Sequence, residues 1–473
     1  MKKPLSRGAR ATIPAMSLPA RSGRAPAGVP RSVPSVRALV AVSIAGLLAA
    51  SCGTPGPAPS QPPSAPPSAV ASAPANPSPS AAPSPNPSAS VDEASLYRQI
   101  EDDVITLRGL PAKQRLEPTI LDEAQLRVRI EAQFRAENSP AEIATSQATL
   151  VAMGLLPPGT SLGDLYVNLL GSQVAGYYDP ATKQIYVVAR AGRIGAIEKV
   201  TFAHEFTHAL QDQNFGLEGI QTDAIGQGDR SLAHLALIEG DASLLMTQWL
   251  TGHLDAAALG EILAADPAAQ AQLDATPPVL RDALLFPYTQ GLLFVNTLFA
   301  KGGWAAVDDA FDRPPDSTEQ VLHADKYAAG ERPVSVPLDA ATIAARLGPG
   351  WKTTAPDTLG EFQVGSWLRA RGVTGAGGGI SGDAAAAGWG GDRYDLVEGP
   401  NGAYVLVLLT AWDTPADATE FATAATEAVR GVPGEARVVP FAPRPGVAGN
   451  GVVAVLFASG TAILQAVAGM LKA

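Results

Sequence analysis

The segment His204-Glu205-Phe206-Thr207-His208 constrains this chain more than any other. Its surroundings, IEKVTFAHEFTHALQDQNFG from Ile197 to Gly216, have helical apolar spacing and close on a glycine, so one helix is predicted there. On a helix, residues i and i+4 share a face one turn apart, so both imidazoles can reach one metal ion. Glu205, about 100° around the axis, can touch a water on that ion. The chain has only five histidines, and two of them at this spacing around a glutamate form a specific signal. The plain alternative, two packed or exposed histidines on a structural helix, gives the carboxylate between them no task.

A catalytic zinc takes three protein ligands and leaves the fourth position to water, so a third ligand is required. The single cysteine, Cys52, excludes a disulfide scaffold, a Cys-rich zinc finger and an iron-sulfur cluster. A metzincin would place glycine and histidine after His208 at the positions held here by Gln211 and Asn214. The next predicted helix, SLAHLALIEGDASLLMTQWL from Ser231 to Leu250, carries only two acids, Glu239 and Asp241, in an otherwise apolar stretch. An unpaired carboxylate there would be costly, and a metal would offset the cost. Glu239 is therefore the expected third ligand, with Asp241 and His234 as rivals.

With IEGDAS around Glu239, the chain resembles the gluzincin class of zinc metallopeptidases. In that class HExxH is completed by a glutamate on a downstream helix, often within a Glu-Gly-x-Ala type segment, matched here by Glu239-Gly240-Asp241-Ala242. Thirty residues separate His208 from Glu239, so the resemblance covers the zinc site and its two helices. The later segment FPYTQGLLFVNTLFAKGGWAAVDDAFDRPPDSTEQVLHADKY is similar to one in uncharacterised secreted bacterial proteins with HELxHALQDQ-type helices.

The resemblance implies a mostly helical zincin-like domain, Zn2+ as cofactor, His204, His208 and Glu239 as ligands, and Glu205 as general base. The expected activity is hydrolysis of peptide bonds in a peptide or protein substrate, by an endopeptidase. A donor to the developing oxyanion is needed, and His323, Tyr288 or Tyr327 could supply it. Asp212 or Ser243 could orient a ligand imidazole, although Asp212 reads more simply as a solvated acid.

The first ninety residues are of another kind. Residues 1 to 37 hold eight basic residues and no acid, and the apolar run ALVAVSIAGLLAA ends in Ser51-Cys52. That order is a secretory signal, and LAASC resembles a bacterial lipobox that makes Cys52 the lipid-modified first residue of the mature chain. Residues 53 to 90 contain 13 prolines and no charge, which predicts an extended tether able to hold the body up to roughly 100 Å from a membrane anchor. Without the leader, 26 basic residues face 45 acids, a formal charge of −19 that opposes nucleic-acid binding. The chain is thus expected outside the cytoplasm, anchored to a membrane through Cys52 or secreted.

The sequence divides into a signal peptide (1–51), a Pro/Ser/Ala-rich tether (52–92), a metallopeptidase domain (93–347) and a small α+β domain (357–473). The fold class is α+β, mostly helical. GSQVAGYYDPATKQIYVVAR reads as a hairpin turning at Asp179 to Thr182, and its IYVV run is expected as an edge strand onto which an extended peptide could add. The uncharged C-terminal stretch is broken by Gly460, Thr461 and Gln465, and is expected as strand plus helix rather than a membrane span. Gly377, Gly379 and Gly382 fit GxGxxG but follow a predicted helix and are taken as a loop. Trp389 and Arg393 in GWGGDRY are taken as part of a packed turn. The competing function is a non-catalytic extracytoplasmic binding lipoprotein with a structural or vestigial metal site. Glu205 argues against it, because structural zinc is normally closed by four protein ligands.

Overall fold

The computed structural model describes residues 91–472 except 190–191, 193, 221–225, 265, 355, 377–378 and 442–450. The signal segment, the tether and Cys52 therefore lie outside the described residues. The chain is a mostly helical α+β protein with two small sheets. Its N-terminal part contains α1 (Val91–Arg108), β1 (Thr119–Leu121), α2 (Glu123–Glu137), α3 (Pro140–Ala152) and α4 (Leu162–Gln173). It continues through β2 (Gly176–Asp179), β3 (Gln184–Val188), α5 (Ala196–Phe215) and α6 (Gly228–His253). Then come α7 (Ala256–Leu263), α8 (Pro267–Ala275), α9 (Pro278–Asp312), α10 (Thr318–Leu322) and α11 (Ala324–Ala329). The C-terminal part is α12 (Ala340–Leu347), β4 (Lys352–Thr353), α13 (Gly360–Ala370), α14 (Gly382–Ala386) and β5 (Trp389–Glu398), followed by β6 (Tyr404–Trp412), α15 (Pro415–Ala428), β7 (Glu435–Phe441), β8 (Gly451–Ala458) and α16 (Thr461–Lys472).

The first sheet has the order β1-β3-β2, with β3 antiparallel to β2 and parallel to β1. The hairpin forms as expected, and Lys183 takes the positive φ its turn demands. The edge expectation does not hold, because the IYVV run is the central strand with both ladders occupied. The three-residue β1, too short for a periodic signal, takes the place assigned to a substrate. Alternation along β3 serves two cores: Ile185 and Val187 pack towards α5 and α1, while Tyr186 and Val188 face Leu126 and Ile130 of α2, Leu170 of α4 and Tyr288 of α9.

The second sheet, β4-β5-β6-β8-β7, is antiparallel throughout. Leu406, Leu408, Val453 and Val455 face Trp367 of α13 and Phe421 of α15, while Val405, Val407, Ala454 and Leu456 face Ile343 of α12 and Leu464 and Val467 of α16. Helices cover both faces, so β8 is buried along its whole length, and the uncharged C-terminal run needs no membrane to explain it. Because α12 belongs to this sheet, the seam between the two parts falls before Val334, whose N–H donates to the Gly390 carbonyl, rather than at residues 347–357. Arg371 ties the parts together by donating to the Gly154 carbonyl at 3.0 Å, and Arg393 does so by donating to the carbonyl of Gly226.

Among the described residues one helix, α9, is long and apolar enough to cross a membrane by length and composition. Its Phe294, Val295 and Leu298 pack against Ala233, Ala236 and Leu237 of α6. Pro287 lies inside it, and Gly302 and Gly303 leave helical geometry and break it near its end. The crossing with α6 is close enough that a Cβ built on Gly291 would lie 2.2 Å from the Ala236 carbonyl oxygen, and one on Gly240 would lie 2.3 Å from the Gly291 carbonyl oxygen. Two glycines face each other because no side chain fits between these backbones.

Candidate metal centre

Helix α5 is the axis of the site. Glu198 in its first turn accepts from the Gly195 N–H, and Gly216 closes it in the left-handed conformation with φ 73°. Between these ends every side chain from Val200 to Asp212 is buried, so α5 is a core helix rather than a two-faced surface one. Helix α6 crosses beside it, anchored at its start by the Gly228 N–H donating to Asp357 and by Asp229 accepting from the Thr318 N–H.

The crossing brings His204, His208 and Glu239 together. His204 Nε2 is 3.0 Å from His208 Nε2, and the Glu239 carboxylate oxygen Oε2 is 3.2 Å from the first and 3.4 Å from the second. Metal–ligand bonds of about 2.0–2.1 Å at tetrahedral angles separate ligand atoms by about 3.3 Å, so the three atoms have the spacing of one face of a small four-coordinate ion's shell. The donor set, two imidazoles and one carboxylate, suits such an ion, with one position left open. Glu205 lies next to His204 and, like the three ligand candidates, is at most 1% exposed.

The electrostatics agree with a cation-seeking site. Burial pushes His204 down; burial also acts to lower His208, but the carboxylates of Glu239 and Glu205 and the Gln211 hydrogen bond together outweigh it and push that imidazole up. At Glu239 burial would raise the carboxyl, but the two imidazoles outweigh it and hold the group down to about 2. Carboxylate and imidazoles thus support one another's charge, and burial prevails only at His204.

The remaining candidates separate clearly. Asp241 is not a fourth ligand: its Oδ1 accepts from Arg108 Nε at 2.8 Å and its Oδ2 from Gln211 Nε2 at 2.8 Å. Its charge, which the sequence left without a partner, is met by an arginine 133 residues away. His234 is buried on α6, outside the group of three ligand atoms. Asp212 is neither solvated nor an orienting group for a ligand: it accepts from the Tyr178 hydroxyl at 2.7 Å, from Lys183 at 2.6 Å and from the Leu217 N–H. Ser243 is buried one turn beyond Glu239, and its carbonyl accepts from Thr247.

The residue that contacts the far side of a candidate ligand ring is Gln211, whose Oε1 lies 2.8 Å from His208 Nδ1. It stands three residues after His208 in the HALQDQ run, a spacing at which helix neighbours meet. Of the three oxyanion candidates, His323 bonds Glu361 at 2.9 Å and Tyr327 donates to the Arg313 carbonyl. Tyr288 alone of the three adjoins a candidate ligand, its ring centroid 6.3 Å from that of His204.

A second acidic group, Glu319, Glu331 and Asp413, is filled by the Lys326 ammonium, which contacts all three carboxylates at 2.6–2.8 Å. Gly382 opens the five-residue α14 and the preceding element is α13, so GxGxxG is no strand-to-helix phosphate loop; Gly377 lies outside the described residues. Trp389 is buried in β5 and donates to Asp392, a packed role.

Fold and site together define a mostly helical α+β protein with a buried His-His-Glu cluster at the crossing of two core helices. Comparison with family models matches residues 346–462 to a domain of unknown function (DUF8575), a stretch that runs from the end of α12 into α16 and so covers the second sheet. No curated protein and no solved structure matches the chain.

Proposed function

We propose that the protein is a zinc-dependent peptidase acting outside the cytoplasm, with His204, His208 and Glu239 as metal ligands. The observation that carries this reading is the convergence of the three ligand atoms at 3.0–3.4 Å beside a further buried carboxylate, Glu205. A bound zinc would supply Lewis acidity, polarising a scissile carbonyl and acidifying a water at the open position. Glu205 then accepts the proton of the attacking water and hands it to the departing amine, a role its place beside His204 suits. Tyr288 is the best placed of the candidate donors to the oxyanion.

Complete burial of the four residues gives some support to the competing reading, a structural metal site in a binding lipoprotein. Among the described residues, however, the cluster offers three ligands rather than the four of a closed site. Bound metal measured by mass spectrometry, together with cleavage of a denatured protein mixture, tests the proposal. One zinc per chain is expected, with cleavage lost on chelation and restored by zinc. Zinc without cleavage would favour the competing reading, and absence of metal would remove the site. Tyr288→Phe is expected to lower kcat about 100-fold at unchanged metal content, and a kcat equal to wild type would take the oxyanion role from this residue.

A further inference from the structure

Arg108, the last residue of α1, is a fully buried cation. Its Nε donates to Asp241 Oδ1 at 2.8 Å, its Nη2 donates to Asp308 Oδ1 at 2.7 Å, and its guanidinium lies 4.5 Å from the Trp304 ring centroid. A charge buried this deeply persists only when paired, and the planar fork allows it to meet two carboxylates at once. From Asp241 the chain of bonds continues inward. Gln211 Nε2 donates to Asp241 Oδ2 at 2.8 Å and to the Ile238 carbonyl at 3.0 Å.

A carbonyl oxygen can only accept, so the amide nitrogen of Gln211 must be the atom facing Ile238, and its oxygen the atom facing His208. That oxygen, 2.8 Å from Nδ1, requires the His208 proton to sit on Nδ1. Nε2 is then left with its lone pair directed at His204 and Glu239, the tautomer a metal ligand needs. His204 has no equivalent support: its Nδ1 meets no hydrogen-bond partner among the described residues.

We propose that Arg108 is a positioning residue of the metal centre, fixing the ring orientation and tautomer of His208 through Asp241 and Gln211. The proposal rests on the reading of His204, His208 and Glu239 as ligands. Loss of Arg108 leaves the Asp241 carboxylate buried without its cation, and the carboxylate ceases to be a fixed anchor for the Gln211 amide. A merely structural arginine would affect unfolding of the metal-free protein and nothing at the metal.

The test uses the full chain with Arg108→Met, Gln211→Ala and the double variant. Zinc affinity is measured by competition with a chelator, the absorption spectrum is recorded after cobalt substitution, and the unfolding midpoint is measured without metal. Each single variant is expected to bind zinc about 10–100-fold more weakly and to shift the cobalt bands. The double variant should bind no more weakly than the weaker single one, because both cut the same chain. If Arg108→Met does not fold, Arg108→Lys replaces it, keeping the buried charge while losing the fork. Wild-type affinity and cobalt bands in a folded Arg108 variant would overturn the proposal, as would losses that multiply in the double variant. A wild-type chain that binds no zinc would overturn the metal reading as well, so the two failures are distinguishable.

Discussion

Glu205→Gln is expected to lower peptide cleavage about 100–10,000-fold while one zinc per chain stays bound. The range is that of a positioned general base. Glutamine keeps the size and the hydrogen-bonding capacity of glutamate but cannot take a proton from water near neutral pH. The three atoms that converge at 3.0–3.4 Å belong to other residues, so the metal should not register the change. Glu239→Gln supplies the contrast, since it removes the only anionic ligand of the cluster and should lose metal and cleavage together. The measurement is kcat on a denatured protein, with bound zinc determined on the same samples. Cleavage by Glu205→Gln at the wild-type rate would mean that the proton leaves by another group.

Gly291→Ala is expected to destabilise the protein by about 2–3 kcal/mol, the upper part of the range for an overpacked core. The added methyl would start 2.2 Å from the Ala236 carbonyl oxygen, which is backbone and cannot swing aside. α6 and α9 must separate, and α6 carries Glu239 immediately before Gly240 at the same crossing. Zinc affinity should therefore fall with stability. The unfolding midpoint should drop by roughly 3–4 °C. Gly171→Ala on α4, where an added Cβ meets nothing within 4 Å, should be neutral or slightly stabilising. Equal midpoints for Gly291→Ala and wild type would show that the two helices have slack at their crossing.

Much of the centre was legible in the sequence because its information is local. His204, Glu205 and His208 lie within two turns of one helix, and Glu239 stood out as an acid in an apolar helix. The same reasoning misread Asp241, because its partner Arg108 is 133 residues distant and no local pattern ties an arginine at the end of α1 to α6. Gln211 was visible only as a residue that failed to be glycine; its use depends on where the Ile238 carbonyl lies, and that is tertiary information. The error over β3 has a similar origin. Apolar residues on both faces of a strand show that both faces are covered, but edge or centre is decided by hydrogen bonds to partners, and β1 is too short to reveal itself. In the C-terminal part, the uncharged stretch forms strand β8 and helix α16 as expected, whereas α12 packs on the second sheet rather than with the first part because its amphipathic face fits either core.

The bonds that support His208 span a long stretch of chain: Arg108 and Asp308 are 200 residues apart. On a growing polypeptide Arg108 emerges long before its second carboxylate has been made, and the HExxH helix emerges before the end of α9. The guanidinium can be neutralised on both sides only once α9 has been completed and has closed back on α1 and α6. Contacts of such sequence separation form late, after the entropy of closing the intervening loop has been overcome. The frame around His208 thus closes only after α9 has been made, so a partly synthesised chain holds the His204–His208–Glu239 cluster before it holds the buried arginine network beside it.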